Sequence, residues 1–215
     1  VLSGCVPLMI GGAVGTTAFV TTDRRTVGAQ MADNVMEQRI SYEITQAIKS
    51  GLHLTVTSYN QRVLLTGEVS TETDKQLAQK IAQRSLEVKS VVNELKVGPE
   101  NSITQRLSDS TLANKVRSYL VGTKDVSLNQ MKVTVNNSTV YLMGLVTAQE
   151  AQLAANVASR ISGVHAVVKV FEVISEQEVE RRMRLINQQQ NEKAKESALT
   201  TNNLNTTSSS EVRLQ

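Results

Sequence analysis

Few residues in this chain could do chemistry. Among its 215 residues there is one cysteine, Cys5, and there are two histidines, His53 and His165. One cysteine allows no internal disulfide, and with two histidines it cannot supply a usual zinc set. His53 and His165 fall at ends of strand-like segments, and His165 reads as an exposed strand-start residue rather than a base or a ligand. No G-x-S-x-G, Walker or dinucleotide fingerprint occurs, and Gly11, Gly12 and Gly15 precede no strand–helix unit. Carboxylates such as Glu72 and Asp74 cluster only as solvated helix faces. These observations predict a protein that is not an enzyme, with no cofactor, no metal and no small-molecule substrate.

Cys5 nevertheless invites a chemistry of its own. It closes Leu2-Ser3-Gly4-Cys5, an aliphatic–small–Gly–Cys run that reads as a bacterial lipobox. Small residues there fit a signal peptidase cleft, and the freed thiol can take a diacylglycerol. On this reading residues 1–4 are the remnant of a lipoprotein signal peptide and Cys5 is the lipidation site. Two or three acyl chains, of palmitate type, anchor firmly, because each buried methylene contributes about 0.8 kcal/mol. Val6 lacks the aspartate that in enterobacterial lipoproteins means inner-membrane retention, so the expected address is the outer membrane, facing the periplasm. No run of 18 or more apolar residues suggests a transmembrane helix. Val6 to Thr22 is free of charge and rich in Gly, Ala and Thr, so 5–32 reads as the acylated cysteine and its tether.

The rest must supply the elements that position any binding surface. Hydrophobic residues make up 40% and aromatics 3%, so a core is available and rests on Val, Ile, Leu and Ala. A net charge of +3 is too weak to argue for nucleic acid, and no aromatic platform for it exists. An internal repeat organises the sequence. Arg62 to Val69 and Thr139 to Val146 both read x-V-x-L-x-G-x-V, and Leu77-Ala78, Ile81-Ala82 and Val88 match Leu153-Ala154, Val157-Ala158 and Val164. The offset is 76 or 77 throughout, the mark of a duplicated domain. Met36, Ile40, Ile44 and Ile48 predict a helix over 34–49; alternation around Tyr59-Asn60-Gln61 predicts a hairpin; Leu77 to Ser85 predicts a second helix capped by Ser70 or Thr71; and 88–97 predicts a third strand. The fold class expected is α+β: two tandem αββαβ domains, 33–98 and 103–174, each a three-stranded mixed sheet covered by two helices. Gly67 and Gly144 fall mid-strand, and close helix packing is the expected structural reason. Residues 175–215 read as a charged helical extension, with Val179, Met183 and Ile186 at helical spacing, and a disordered polar tail.

Two such units, with V-x-L-x-G-x-V after each hairpin turn and Ser162-Gly163-Val164 before the last strand, resemble BON domains. With the lipobox and the segment Asp23-Arg24-Arg25, the chain resembles the dual-BON outer-membrane lipoproteins over about Cys5 to Ile174. That resemblance implies binding of anionic phospholipid membrane through the second domain, support of outer-membrane integrity and recruitment to the division site. The alternative is a periplasmic adaptor that docks envelope protein partners.

Divergence between the repeats suggests where binding sits. Residues 33–98 hold eight basic and eight acidic side chains, whereas 103–174 hold seven and four. Met36, Glu37, Arg39, Ser41 and Glu43 correspond to Leu112, Ala113, Lys115, Arg117 and Tyr119. Val116 and Leu120 should face the sheet, with Leu112 and Tyr119 at the rim beside Lys115. The rim either completes the core or enters the headgroup boundary while cations attract anionic lipid. The resemblance favours the second, giving Leu112, Lys115, Val116, Arg117 and Tyr119 as the phospholipid-binding set and 109–121 as the contacting helix. Where a familiar member carries Trp on this helix, this chain has Leu112, a weaker interfacial anchor. Leu112→Glu is therefore expected to weaken vesicle binding, and binding should fall with salt.

Overall fold

The structure, a computed structural model, describes residues 23–49 and 51–192. Cys5, the tether over 6–22 and the polar tail from 193 onward lie outside the described residues. The first unit comprises α1 (Val27–Ala47), β1 (Leu52–Tyr59), β2 (Arg62–Val69), α2 (Glu72–Arg84) and β3 (Ser90–Val97). The second comprises α3 (Ile103–Val121), a 3-10 turn (Leu128–Gln130), β4 (Met131–Asn136), β5 (Thr139–Val146), α4 (Ala148–Ser159) and β6 (Ala166–Val173). A further helix, α5, runs over 176–192. Each sheet has the hairpin antiparallel and the last strand parallel to the central one, in the orders β1-β2-β3 and β4-β5-β6.

Both first helices start earlier than their buried periodicity suggested. Thr26 caps α1 by accepting from the Ala29 amide at 3.1 Å, and Ser102 caps α3 by accepting from Gln105 at 3.1 Å. The early turns carry Val27, Met31, Ile103 and Leu107 outward, so a search for an inward apolar face passed over them. Thr71 and Thr147 cap α2 and α4, the latter in a full capping box with Glu150.

The period-2 alternation of the strands sets the layers. In the first unit Val63, Leu65 and Val69 face Met36, Ile40 and Ile44 of α1 and the alanines Ala78 and Ala82 of α2. In the second, Val140, Leu142 and Val146 face Val116 and Leu120 of α3 and Ala154 and Ala158 of α4. Alanine at the α2 and α4 contacts lets those helices lie close to the sheet. Each larger core side chain contributes about 1.5–3 kcal/mol by leaving water. The opposite faces of the sheets meet each other, burying Tyr59 and Leu64 of one against Tyr141, Met143, Leu145 and Val170 of the other. The molecule is thus layered helix–sheet–sheet–helix. In α5, Val179, Met183 and Ile186 pack around Ile174.

Gly67 and Gly144 hold equivalent strand positions, opposite Leu54 and Leu95 in one sheet and Met131 and Phe171 in the other. The reason expected for them, helix packing, is corrected. A Cβ on Gly67 would strike the carbonyl of His53, and one on Gly144 the carbonyl of Gln130 and, at 2.8 Å, the Met131 side chain. It is the backbone of the neighbouring strand, or of the turn leading into it, that comes close. Gly67 also sits at φ +124°, a conformation L side chains rarely adopt, whereas Gly144 does not.

Candidate functional site

Helix α3 holds all five residues expected to bind phospholipid, but it divides them. Val116 is fully buried and Leu112 is only 8% exposed, so both belong to the core. The placement of Leu112 at an open rim is corrected by its neighbour Gly163: a Cβ there would lie 3.5 Å from Leu112 Cδ1, and the bare backbone closes over the leucine. Tyr119 is 57% exposed. Lys115 lies one turn before it on the same flank and donates from Nζ to the Ser162 carbonyl at 3.0 Å. Arg117 lies on the other flank. Its Nη2 donates to the Val133 carbonyl on the outer edge of β4 at 2.6 Å, and its Nη1 donates to Asn114. The outward face between the flanks carries Ile103, Leu107 and Val121, all exposed. Sequence reasoning missed these three because it began the helix at Asp109; the Ser102 cap and the i, i+4 spacing of Ile103 and Leu107 were the available signals.

Asp33 and Asp109 are a matched pair that the repeat comparison also passed over. Asp33 Oδ atoms accept from the amides of Asn60 and Gln61 at 2.8 and 2.9 Å and from the Ser58 hydroxyl at 2.9 Å. Asp109 accepts from the amides of Asn137 and Ser138 at 2.7 and 2.9 Å. In each unit a helix-borne carboxylate pins the two-residue hairpin turn, whose central residues all have positive φ. The turns have their own donors aimed at one point, and only an acceptor fixed on the helix can satisfy both.

The segment Asp23-Arg24-Arg25 joins the units. Arg24 forms a bidentate pair with Glu150 of α4 at 2.7 and 2.8 Å and donates to the Leu145 carbonyl. Arg25 pairs with Asp33 at 2.8 Å and lies 3.6 Å above the Tyr59 ring. Adjacent residues therefore hold opposite domains. Burial, then the neighbouring Asp23, pushes the Tyr59 phenol well above its ordinary range, against the pull of Arg25. Burial, with Glu94 and Glu68 nearby, holds the Tyr141 phenol at about 12.

Where the edge strands β1 and β4 run side by side, the Thr57 and Thr134 hydroxyls meet at 3.2 Å. Glu37 accepts from the Ser58 amide on the β1 edge at 2.6 Å and from Lys132 of β4 at 2.7 Å. Cavities of about 450 and 370 Å³ open along this seam, both bordered by Arg117, Val133 and Thr134. His53 lies at the far end, with Nδ1 3.0 Å from Glu68, while His165 is exposed. Among the described residues no cluster of His, Cys, Asp and Glu could hold a metal ion, and no helix is long and apolar enough to cross a membrane.

The sequence model of the BON domain matches residues 32–99 and 108–175. The chain is 38% identical over 175 residues to the outer membrane lipoprotein DolP of Haemophilus influenzae, covering 80% of this chain and 90% of that protein. It is 30% identical over 154 residues to a 21 kDa hemolysin of Actinobacillus pleuropneumoniae, covering 71% of this chain and 79% of the other.

Proposed function

Since this chain belongs to the BON-domain family, with two such domains in tandem, we propose that it is an outer-membrane lipoprotein whose second domain binds anionic phospholipid. It is anchored through Cys5, faces the periplasm and supports envelope integrity, with recruitment to the division site as part of that role. The name of the Haemophilus relative supports the address, and the Leu2-Ser3-Gly4-Cys5 run supports the anchor. The observation that carries the membrane contact is the surface of α3. Exposed Tyr119 stands beside Lys115 on one flank, and Ile103, Leu107 and Val121 are exposed elsewhere on the same helix. Apolar groups enter the headgroup boundary while Lys115 and Arg117 attract anionic lipid, each cation near the surface contributing about 1 kcal/mol. Leu112 and Val116 act from beneath, by holding the helix on its sheet.

Leu112→Glu is therefore a poor test, because it buries a carboxylate in the core. Tyr119→Glu is a better one. With full-length protein carrying Cys5→Ser, co-sedimentation with phosphatidylglycerol vesicles should weaken on the order of tenfold, with the circular dichroism unchanged. Wild-type binding should fall between low and high salt and be slight on phosphatidylcholine. Folded Tyr119→Glu protein that binds like wild type would refute the α3 contact. One observation favours the adaptor reading in that event: α1 exposes Val27, Met31, Val35 and Tyr42 along one uncharged stripe of the first domain.

A further inference from the structure

The residues just before the first helix of each unit reach across to the other unit. Asn101, the residue before the Ser102 cap of α3, donates from its amide and from Nδ2 to Glu68 of β2, at 3.3 and 2.7 Å. Arg24, two residues before the Thr26 cap of α1, bonds to the second unit. Its amide donates to Gln130 Oε1 at 3.1 Å, Nη1 to the Leu145 carbonyl at 3.0 Å, and Nη1 and Nη2 to the Glu150 carboxylate at 2.7 and 2.8 Å. Arg25 turns back at once to the first unit, to Asp33 and the Tyr59 ring. The chain thus crosses the joint between two consecutive residues. The turns repeat the exchange: Asn60 donates to Glu172 of the second unit, and Asn136, its counterpart in the repeat, donates to Glu68 of the first.

The two crossings differ in what they add. Asn101 lies in the short linker between β3 and α3, which already joins the units covalently. Arg24 supplies a constraint that the covalent path does not. The shared sheet face is a weak substitute for it, since domains of one chain move relative to each other unless their interface is large and apolar. Six buried side chains meet in that face. The same layer takes in Arg62 Nε and Thr66 Oγ1, which find no partner among the described residues and whose burial opposes the contact. The Arg24–Glu150 pair is bidentate and shut off from water, its side chains 4% and 11% exposed. Charge-assisted paired bonds of this kind are the strong ones. Removing Arg24 strands the Glu150 charge for as long as the joint stays closed, and opening the joint hydrates it. Loss of Arg24 therefore favours parting of the units over unfolding of either one.

We propose that Asp23-Arg24-Arg25 is a strap that seats the incoming end of the chain on the second unit and keeps the two units one body. Arg24 holds the far side through Glu150, and Arg25 holds the near side through Asp33. An anchor at Cys5 then holds the second unit directly, through Arg24, and not only by way of α1, the first unit and the linker. That consequence alone rests on the lipoprotein reading above.

The test uses full-length protein carrying Cys5→Ser, with nitroxide labels on Gln76→Cys in α2 and Gln152→Cys in α4, both exposed and on the outer helix layers. Double electron–electron resonance reads the distance across the two sheets. One narrow distribution is expected with the strap intact. Arg24→Gln should broaden it and move it to longer distance, while amide exchange in the core of each unit stays as in wild type. Glu150→Gln, which keeps an acceptor for the Thr147 amide, should act in the same direction. Should Arg24→Gln protein fail to fold, two deletions decide. Removing residues 1–22 should leave the distribution narrow, and removing 1–25, which spares the Thr26 cap, should broaden it. Narrow, unshifted distributions in folded Arg24→Gln and Glu150→Gln protein overturn the strap. Broadening on removal of 1–22 alone overturns it too, because the residues before the strap would then hold the joint. No lipid enters the measurement, so either failure leaves the membrane reading to its own test.

Discussion

In the first unit, the flank of α1 that meets an edge strand carries Glu37, which bonds to the Ser58 amide of its own sheet and to Lys132 of the other. In the second, the same flank of α3 carries Ala113 and Arg117, and Arg117 bonds to a strand carbonyl instead of a strand amide. Beneath these flanks the two units are alike. The carboxylates Asp33 and Asp109 pin hairpin turns of the same conformation, Gly67 and Gly144 occupy one strand position, and alanines seat α2 and α4. Duplication kept what the fold needs and changed what borders solvent and the seam. The asymmetry extends to the joint: the first unit meets the Asp23-Arg24-Arg25 segment through Asp33, which also pins the turn, while the second meets it through Glu150, which also caps α4.

If that account is right, the two pins should not be equal. Asp33 loses a buried ion pair with Arg25 as well as its turn contacts when it is replaced, whereas Asp109 loses turn contacts and a bond from Gln105. Asp33→Ala should cost about 3–5 kcal/mol, because the Asn60, Gln61 and Ser58 donors lose their acceptor and buried Arg25 is left with Asp23 as its one carboxylate partner. Asp109→Ala should cost about 2–3 kcal/mol for unsatisfied donors. Urea denaturation of the full chain measures both; equal midpoints would show that Arg25 adds nothing to the first pin.

The pins also mark the limit of what the sequence could say. The αββαβ order was legible because apolar periodicity and the 76–77 offset repeat the same pattern twice. Asp33 and Asp109 share that offset too, yet a polar residue on a helix reads as solvated, and only the turn brought to it in space shows the bond. The α3 surface was half legible. Tyr119 and Lys115 were placed by the loss of Glu43 and the gain of an aromatic, but Leu112 was misplaced because its cover comes from Gly163, remote in sequence. The seam was invisible, since no pattern within one repeat tells how two sheets meet.

The glycines offer a second, smaller contrast. Alanine at either position meets a backbone carbonyl, that of His53 in β1 or of Gln130 just before β4, and overpacking of this kind costs about 1–3 kcal/mol. Gly67 carries an added backbone strain of about 1 kcal/mol or more, since its φ is +124°. Gly67→Ala should therefore melt below Gly144→Ala, and both below wild type. The reverse order in calorimetry would mean that the strand beside Gly67 yields more readily than that beside Gly144.

The smallest effect at ordinary pH concerns the two tyrosines that the units bury against each other. Both phenols are raised above their usual value of about 10, Tyr59 by burial against the pull of Arg25 and Tyr141, at about 12, by burial beside Glu94 and Glu68. A raised phenol means that the folded state holds its proton more tightly than the unfolded chain does. Stability from this source is complete below pH about 10 and falls as pH rises through the folded values, by up to about 1.4 kcal/mol per unit for each group. Nothing should change between pH 6 and 9 on this account. Above pH 10 the melting temperature should drop, with phenolate absorbance rising along the same transition. Tyr141→Phe should flatten part of that drop. This substitution is the cleaner of the two, because Tyr59 also donates from its hydroxyl to the Asn129 carbonyl and Asp23. Phenolate appearing at pH 10 without loss of folded structure would show that the interface opens to solvent before it titrates, and that the sheets are joined more by Arg24 and Arg25 than by the face they share.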